Sequence, residues 1–246
     1  MFFAAFWDAY GYEIYDYYLG KEDIYEVVER EDGYIDVSAG PSFYFQDYQK
    51  WHQIEKEAMK YVRGRVLDIG CGAGRIALYL QEAGHPVLGI DISPKAIAVC
   101  RMRGLKHTEN LSITQVSSRL GEFDTIMMMG NNFGLFANPQ RARWLLRRFF
   151  GMTSPEARII ANTVDVYDTD NPDHLAYQQF NRARGRMSGQ IRIRIRYKTM
   201  KTPWFDYLMV SQEEMTHLLK DSGWKVAQFI NSDGYHYIAI IEKATK

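Results

Sequence analysis

The chain has 246 residues, and its 30 Lys and Arg balance its 30 Asp and Glu, so it carries no formal net charge. That neutrality gives no global argument for a nucleic-acid or membrane-surface partner, and no apolar run is long enough to span a bilayer. The length suits one large α/β domain, or one domain with an insertion.

Residues 1–6 are apolar, but short and without a basic flank, so they are not expected to act as a secretory signal. The two cysteines, Cys71 and Cys100, suit a reduced, cytoplasmic chain. Residues 1–64 are aromatic and acidic: Tyr10, Tyr12, Tyr15, Tyr17 and Tyr18 are interleaved with Asp8, Glu13 and Asp16. The pattern predicts a helix at 22–30, broken by Gly33. A longer helix is predicted at 43–62, where Tyr44, Tyr48, Trp51, Ile54, Glu55 and Met59 recur near helical spacing.

Residues 66–93 read V-L-D-I-G-C-G-A-G-R-I-A-L-Y-L-Q-E-A-G-H-P-V-L-G-I-D-I-S. A short apolar strand is broken by Gly70, Gly72 and Gly74. Ile76, Ala77, Leu78 and Leu80 then recur at helical spacing until Gly84, and a second apolar run ends at Asp91. Strand, glycine turn, helix, strand and acid make the βαβ unit of a nucleotide-binding sheet. Glycines let the backbone approach a ligand without Cβ atoms in the way, and an acid at that distance can accept from two ribose hydroxyls. A dinucleotide site wants its third glycine one position later, where this chain has Arg75. Asp68 would put a carboxylate near a pyrophosphate, but beside a sulfonium or ammonium that charge is welcome. Cys71 has no base near it in sequence and is read as a structural residue of the turn.

Ser93 and Pro94 then open a helix that Gly104 closes. Residues 111–116 are the expected third strand. The run F-D-T-I-M-M-M-G at 123–130 is a fourth, apolar throughout as a central parallel strand should be. It ends in Gly130, Asn131, Asn132, Phe133 and Gly134, at the strand end where ligands bind, although the asparagines could equally cap the next helix. A helix at 139–150 presents Arg141, Arg143, Arg147 and Arg148 to solvent, and a fifth strand follows at 157–164. Residues 165–203 interrupt the pattern before a helix at 212–222. Within them Ile191, Ile193 and Ile195 alternate with Arg192, Arg194 and Arg196, a two-faced strand, and 204–210 is placed to pair with it. Arg182, Arg184, Arg186, Lys198 and Lys201 add to this basic stretch. It suits an RNA phosphate backbone or an anionic small molecule, or it lies against the acidic N-terminal segment, the reading that neutrality favours. Residues 224–230 and 235–241 close the sheet as an antiparallel pair across Ser232, Asp233 and Gly234.

The D-x-G-x-G-x-G run at 68–74, followed by strand and Asp91, resembles motif I and the ribose acid of the class I S-adenosylmethionine-dependent methyltransferases. The likeness covers 65–137 well and the C-terminal hairpin loosely. It implies a doubly wound α/β fold: a mostly parallel, seven-stranded Rossmann-like sheet with an antiparallel C-terminal hairpin. Residues 1–64 would form a helical lid, and 65–246 the methyltransferase domain with a β-ribbon inserted at 165–210. The implied cofactor is S-adenosyl-L-methionine, held by Asp68, Gly70, Cys71, Gly72, Gly74, Asp91, Ile92, Gly130 and Asn131. Ser117 and Ser118 stand where many members carry an acid for the adenine amino group.

The Gly130–Phe133 loop is similar to the G-N-S-F loop of some small-amine methyltransferases, and the N-P-P-Y signature of enzymes that methylate nucleic-acid amino groups is absent. The expected activity is methyl transfer to a small-molecule N or O acceptor. RNA is the alternative substrate, and a non-catalytic cofactor-binding scaffold the alternative class. Tyr44, Phe45, Tyr48, Asn132 and His236 are candidates to line the acceptor pocket. His174 and Tyr237 are further polar groups near the cleft, no residue is nominated as catalytic, and no metal is expected. The tyrosine-rich N-terminus suits a lid, a dimer contact or both.

Overall fold

Two β-sheets organise the computed structural model, which describes residues 7–244; the short apolar stretch at 1–6 lies outside the described residues. In chain order, α1 (Ala9–Tyr18) leads into the hairpin β1 (Val27–Arg30) and β2 (Ile35–Val37). Two 3-10 turns, Pro41–Phe45 and Tyr48–Lys50, then precede α2 (Gln53–Met59). The core follows as β3 (Val66–Ile69), α3 (Arg75–Glu82), β4 (Val87–Asp91), α4 (Pro94–Met102), β5 (Thr108–Asn110), β6 (Phe123–Met128), α5 (Pro139–Phe150) and β7 (Thr153–Val164). The insertion is α6 (Pro172–Ala183), β8 (Gln190–Tyr197), β9 (Met200–Lys201) and β10 (Phe205–Leu208). The chain closes with α7 (Gln212–Leu219), β11 (Trp224–Asn231) and β12 (His236–Lys243).

The larger sheet has seven strands in the order β11-β12-β7-β6-β3-β4-β5. Strands β3 to β7 pair in parallel and β12 runs antiparallel to β7, with β11 antiparallel at the edge. Every residue of β3 and β4 is buried, which explains why these strands read as unbroken apolar runs. The strand order reverses between β3 and β6, so the crevice beyond their carboxyl ends is the place for a ligand.

The second sheet, β10-β8-β1-β2, joins the N-terminal segment to the insertion by antiparallel pairing, with β9 beside β8. Register places Glu29 opposite Arg194, and the two make a bidentate ion pair at 2.8 and 2.8 Å. Arg196 also reaches Glu29, Arg184 and Arg186 reach Glu31, Arg192 reaches Asp206, and Lys198 reaches Asp16. Such partly exposed pairs contribute at most about 1 kcal/mol each. Their larger effect is to set the charge of one segment against the other. On the opposite face, Ile191, Ile193 and Ile195 share their side with Tyr197, Phe205 and Tyr207.

Three local predictions fail for identifiable reasons. Residues 22–30 end in the strand β1, because Val27 and Val28 find a partner in β8 that is distant in sequence. The long helix at 43–62 is broken: the backbone is extended at Asp47 and again at Trp51, and a His52–Glu55 capping box starts α2 only at Gln53. Residues 7–64, expected as a helical lid, therefore hold one longer helix, α1, a hairpin and the short α2. The third strand is Thr108–Asn110. Residues 111–116 instead bury Ile113 and Val116 through a 3-10 turn.

Candidate active site

Each glycine of the turn after β3 has a positive φ: +70° at Gly70, +54° at Gly72 and +81° at Gly74. A side chain at Gly70 would also place its Cβ 2.6 Å from Asn132 Nδ2, and one at Gly72 would meet the Tyr10 hydroxyl at 3.2 Å. The turn is thus closely covered from two sides, by the end of β6 and by α1.

Asp91, ending β4, accepts from the Gly72 amide at 3.0 Å through Oδ2 and from the Ser93 amide at 2.8 Å through Oδ1. It is 7% exposed, and burial pushes its pKa up to about 6 against these bonds. Asp68 is 3% exposed; burial first, then the Asp91 charge, raise it to about 7, with Arg75 opposing. Two buried carboxyl groups near one glycine turn favour a positively charged ligand. Arg75 itself is spoken for: its guanidinium pairs with buried Glu55 and lies over Phe43 and Trp51 at 4.3 and 4.6 Å.

At the end of β6, Asn132 Nδ2 donates to the backbone oxygens of Ile69 and Gly70, both at 2.9 Å, locking this loop to the glycine turn. Asn131 sits in the left-handed region with φ +64°. Its amide donates to Asn162 Oδ1 at 2.9 Å, and its backbone oxygen accepts from the Tyr207 hydroxyl at 2.5 Å. The asparagine that caps α5 is Asn138, whereas Asn131 stands at the start of the 3-10 turn Asn132–Phe136 without a side-chain capping bond. Asn131 Oδ1 is buried with no partner, an acceptor left for a ligand.

The remaining cofactor candidates fall as follows. Gly130 has φ +65° and open space on its Cα. Ile92 is 74% exposed, the highest of the large apolar residues described, and its backbone oxygen is held by Asn110 Nδ2 at 2.8 Å. An apolar side chain standing free beside the acid suits a flat ring. Ser117 and Ser118 lie at the turn after buried Val116, Ser117 half-buried and Ser118 exposed. Cys71 lines the turn with backbone only. Its thiol packs inward, 3.8 Å from that of Cys100, and the Cys100 contact and burial push its pKa well up, away from a reactive thiolate.

The acceptor-side candidates separate. Tyr44 meets Tyr10 edge-on at 5.4 Å, beside the turn. Phe45 packs on Tyr17 and Arg103. Tyr48 stacks on Tyr79 of α3 at 4.5 Å, away from Tyr44, whereas Phe45 packs on the same apolar cluster as Tyr44 and Tyr10. His236 lies among Tyr235, His52 and Glu55, and burial lowers its pKa. His174 packs edge-on to Tyr34 at the second sheet, and buried Tyr237 donates to the Val210 oxygen at 2.7 Å. Tyr10, Tyr207 and Asn162 were not singled out from sequence. Tyr207 carried a usable signal: it occupies the same face of the ribbon as the isoleucines.

Switch-point crevice, left-handed glycine turn, ribose-type acid and free acceptors together define a nucleotide-cofactor site in an α/β transferase fold. Residues 66–156 match the family described as methyltransferase domain. An S-adenosylmethionine-dependent methyltransferase from Bacteroides fragilis, solved with S-adenosyl-L-homocysteine, superposes with a TM-score of 0.82. It is 26% identical, over 97% of this chain and 95% of that one. Residues 66–156 therefore carry a methyltransferase domain, and nearly the whole chain shares the fold of an S-adenosylmethionine-dependent methyltransferase. Curated relatives match over shorter stretches. Glycine/sarcosine N-methyltransferase of Halorhodospira halochloris is 31% identical over 111 residues, 43% of this chain and 41% of that protein. Ubiquinone biosynthesis O-methyltransferase of Nitrosococcus oceani is 28% identical over 93 residues, 32% and 39%. The chain spans about half the length, or less, of the curated relatives it matches. Among the described residues no cluster of His, Cys, Asp or Glu could hold a metal, and no helix is long and apolar enough to cross a membrane.

Proposed function

We propose that the chain methylates a small-molecule acceptor at nitrogen or oxygen. The observation that carries this reading is the covering of the glycine turn: Tyr10 stands over Gly72, Tyr44 lies against Tyr10, and Tyr207 is tied to Asn131. A site roofed by tyrosines suits a compact acceptor better than a polymer. The arginines of β8 support the same view, since Asp206 pairs with Arg192 and Glu29 with both Arg194 and Arg196, which leaves little free positive charge on the strand. The partial likeness to an N-methyltransferase acting on glycine and sarcosine agrees with the Gly130–Phe133 loop.

The residues present fit the cofactor. Asp91 would hold the ribose hydroxyls, Ile92 the adenine face, and Asp68 with Asn131 Oδ1 the donor-rich, cationic methionine end. When bound, S-adenosylmethionine would supply an electrophilic methyl carbon to an acceptor lone pair, with the sulfur leaving as a neutral thioether. The protein's part is to align acceptor and methyl and to keep water out, an effect of up to about 7–11 kcal/mol for well-oriented partners. Tyr10, Tyr44 and Tyr207 are raised above ordinary phenols, by burial first. They therefore stay protonated near neutrality and act as hydrogen-bonding walls, leaving acceptor deprotonation to solvent.

The test is calorimetric titration with S-adenosylmethionine and S-adenosylhomocysteine, Asp91→Ala alongside, followed by a methyl-transfer screen of small amines and phenols. Cofactor binding lost in the variant, with turnover of a small acceptor, supports the proposal. A folded protein that binds neither ligand rejects it, and so does methyl transfer to RNA but to no small acceptor.

A further inference from the structure

Glu13 is 0% exposed, yet neither of its carboxyl oxygens has a hydrogen-bond donor. It projects from α1, and α1 packs on β8 and on the Pro41–Phe45 turn. The carboxyl facing it belongs to Glu26, 7% exposed, just before β1. Glu26 is itself only partly satisfied, accepting from the Ser38 hydroxyl at 2.5 Å. Two carboxyls pressed together in a dry place cannot both ionise unless a cation or a shared proton lies between them. The nearby ion pairs of this sheet do not supply that cation: Lys21 and Lys198 go to Asp16, and Arg194 and Arg196 to Glu29.

What does surround the pair is aromatic and belongs to the roof. Tyr44 feels the charge of both Glu26 and Glu13, and Tyr10 that of Glu13 and Asp91. The two rings meet edge-on at 5.4 Å. Carboxylates among tyrosine side chains are the chemistry that recognises an organic cation, through charge and through the ring quadrupole. An N-terminal element that was built only to cover the cofactor would gain stability from an apolar residue at position 13, where it carries an unpaired acid.

Resting on the methyltransferase reading above, we propose that the acceptor is a small organic cation, its ammonium or guanidinium group seated between the Glu13 and Glu26 carboxylates against Tyr44 and Tyr10. The pair accounts for an otherwise unexplained buried acid and selects the substrate by charge. Any proton the carboxyls share in the empty site leaves to solvent as the cation takes its place.

The full chain, saturated with S-adenosylhomocysteine, is titrated calorimetrically with choline, putrescine and agmatine, and with uncharged 3,3-dimethylbutan-1-ol and butan-1-ol. Glu13→Gln and Glu26→Gln are run beside it, their fold checked by circular dichroism. The expected result is that at least one cation binds and its uncharged counterpart does not. Each variant should weaken that cation at least about ten-fold while holding S-adenosylhomocysteine within about two-fold. Either folded variant suffices, because both carboxyls are required. Absence of binding by every cation, equal binding by an uncharged counterpart, or unchanged affinity in the variants overturns the proposal. So does loss of S-adenosylhomocysteine affinity in the variants, which would move the pair to the cofactor. Failure of the wild type to bind S-adenosylhomocysteine at all rejects the methyltransferase reading instead, and is seen before any cation is added.

Discussion

Tyr207 of the inserted strand β10 donates its hydroxyl to the backbone oxygen of Asn131, at 2.5 Å, where the central strand β6 ends. One bond thereby ties the second sheet to the loop that faces the cofactor crevice, and Asn162 holds the amide of the same residue from β7. The Tyr207 ring also lies on Gly134, where an added Cβ would fall 2.1 Å from it.

Tyr207→Phe keeps the ring and removes the bond. The expected cost is about 1 kcal/mol of stability, with methyl transfer falling about ten-fold or more, because the roof is no longer held in register over the loop. S-adenosylhomocysteine affinity, measured by calorimetry, should stay within about two-fold. A variant that turns over at the wild-type rate would remove Tyr207 from acceptor positioning. Gly134→Ala, which forces the ring to shift, should be the more damaging change to both fold and rate.

Cofactor affinity should rise with pH. Burial raises the Asp91 carboxyl to about 6 and Asp68 to about 7, whereas ribose hydroxyls and a cationic methionine end call for the ionised forms. Protonation below these values therefore competes with binding, and the dissociation constant for S-adenosylmethionine should grow as pH falls from about 8 to about 5. Stability of the cofactor-free protein moves the other way. Both groups have native values above the ordinary 3.8, so their contribution is largest at low pH and declines as pH rises through about 7. The thermal shift given by a fixed cofactor excess should accordingly widen toward pH 8. A dissociation constant that is flat with pH would take these two carboxyls out of cofactor binding.

The cofactor half of this site was legible because its chemistry is local. Asp68, Gly70, Gly72, Gly74 and Asp91 lie within one βαβ unit, and the left-handed turn admits few alternatives to glycine. The acceptor half was not, because it is assembled from segments far apart in sequence. Val27–Arg30 becomes a strand only because β8 pairs with it. Tyr44, Phe45 and Tyr48 looked like one helical face, but extended backbone at Asp47 sends Tyr44 to Tyr10 and Tyr48 to Tyr79. Helical periodicity in 43–62 reported apolar content correctly and the backbone incorrectly. Glu13 stands in the sequence as one acid among the tyrosines of 1–64, and nothing local says that its face of α1 is buried.

Glu29→Gln tests what the arginine strand is for. Glu29 holds Arg194 by two bonds and reaches Arg196, so its loss leaves two guanidinium groups on one strand without their acid. The expected stability loss is about 1 kcal/mol, as for a partly exposed pair with good geometry. The functional readout is binding of a short single-stranded RNA at physiological salt. The wild type should show none that survives added salt, and the variant should gain weak, salt-sensitive binding as positive charge is released. Strong binding by the wild type would mean that the basic strand meets nucleic acid despite its internal partners.

The buried acid of α1 should leave its mark on stability as well as on substrate choice. Burial, then the facing Glu26 carboxyl, raise Glu13 from 4.5 to about 10. In the unfolded chain the group ionises near its ordinary value, so over the intervening range the native state binds the extra proton. Its contribution to stability is therefore complete in acid and is lost progressively as pH climbs toward 10, with a slope of at most about 1.4 kcal/mol per pH unit for one proton. Tyr44 and Tyr10 face the same pair, but their hydroxyls remain protonated over this range and add no slope near neutrality. Urea unfolding between about pH 6 and pH 9 should show wild-type stability falling while Glu13→Gln falls less, since glutamine has no proton to lose. Parallel curves for the two proteins would place the ionised Glu13 in an environment that already satisfies it, at odds with a pair that waits for a cation.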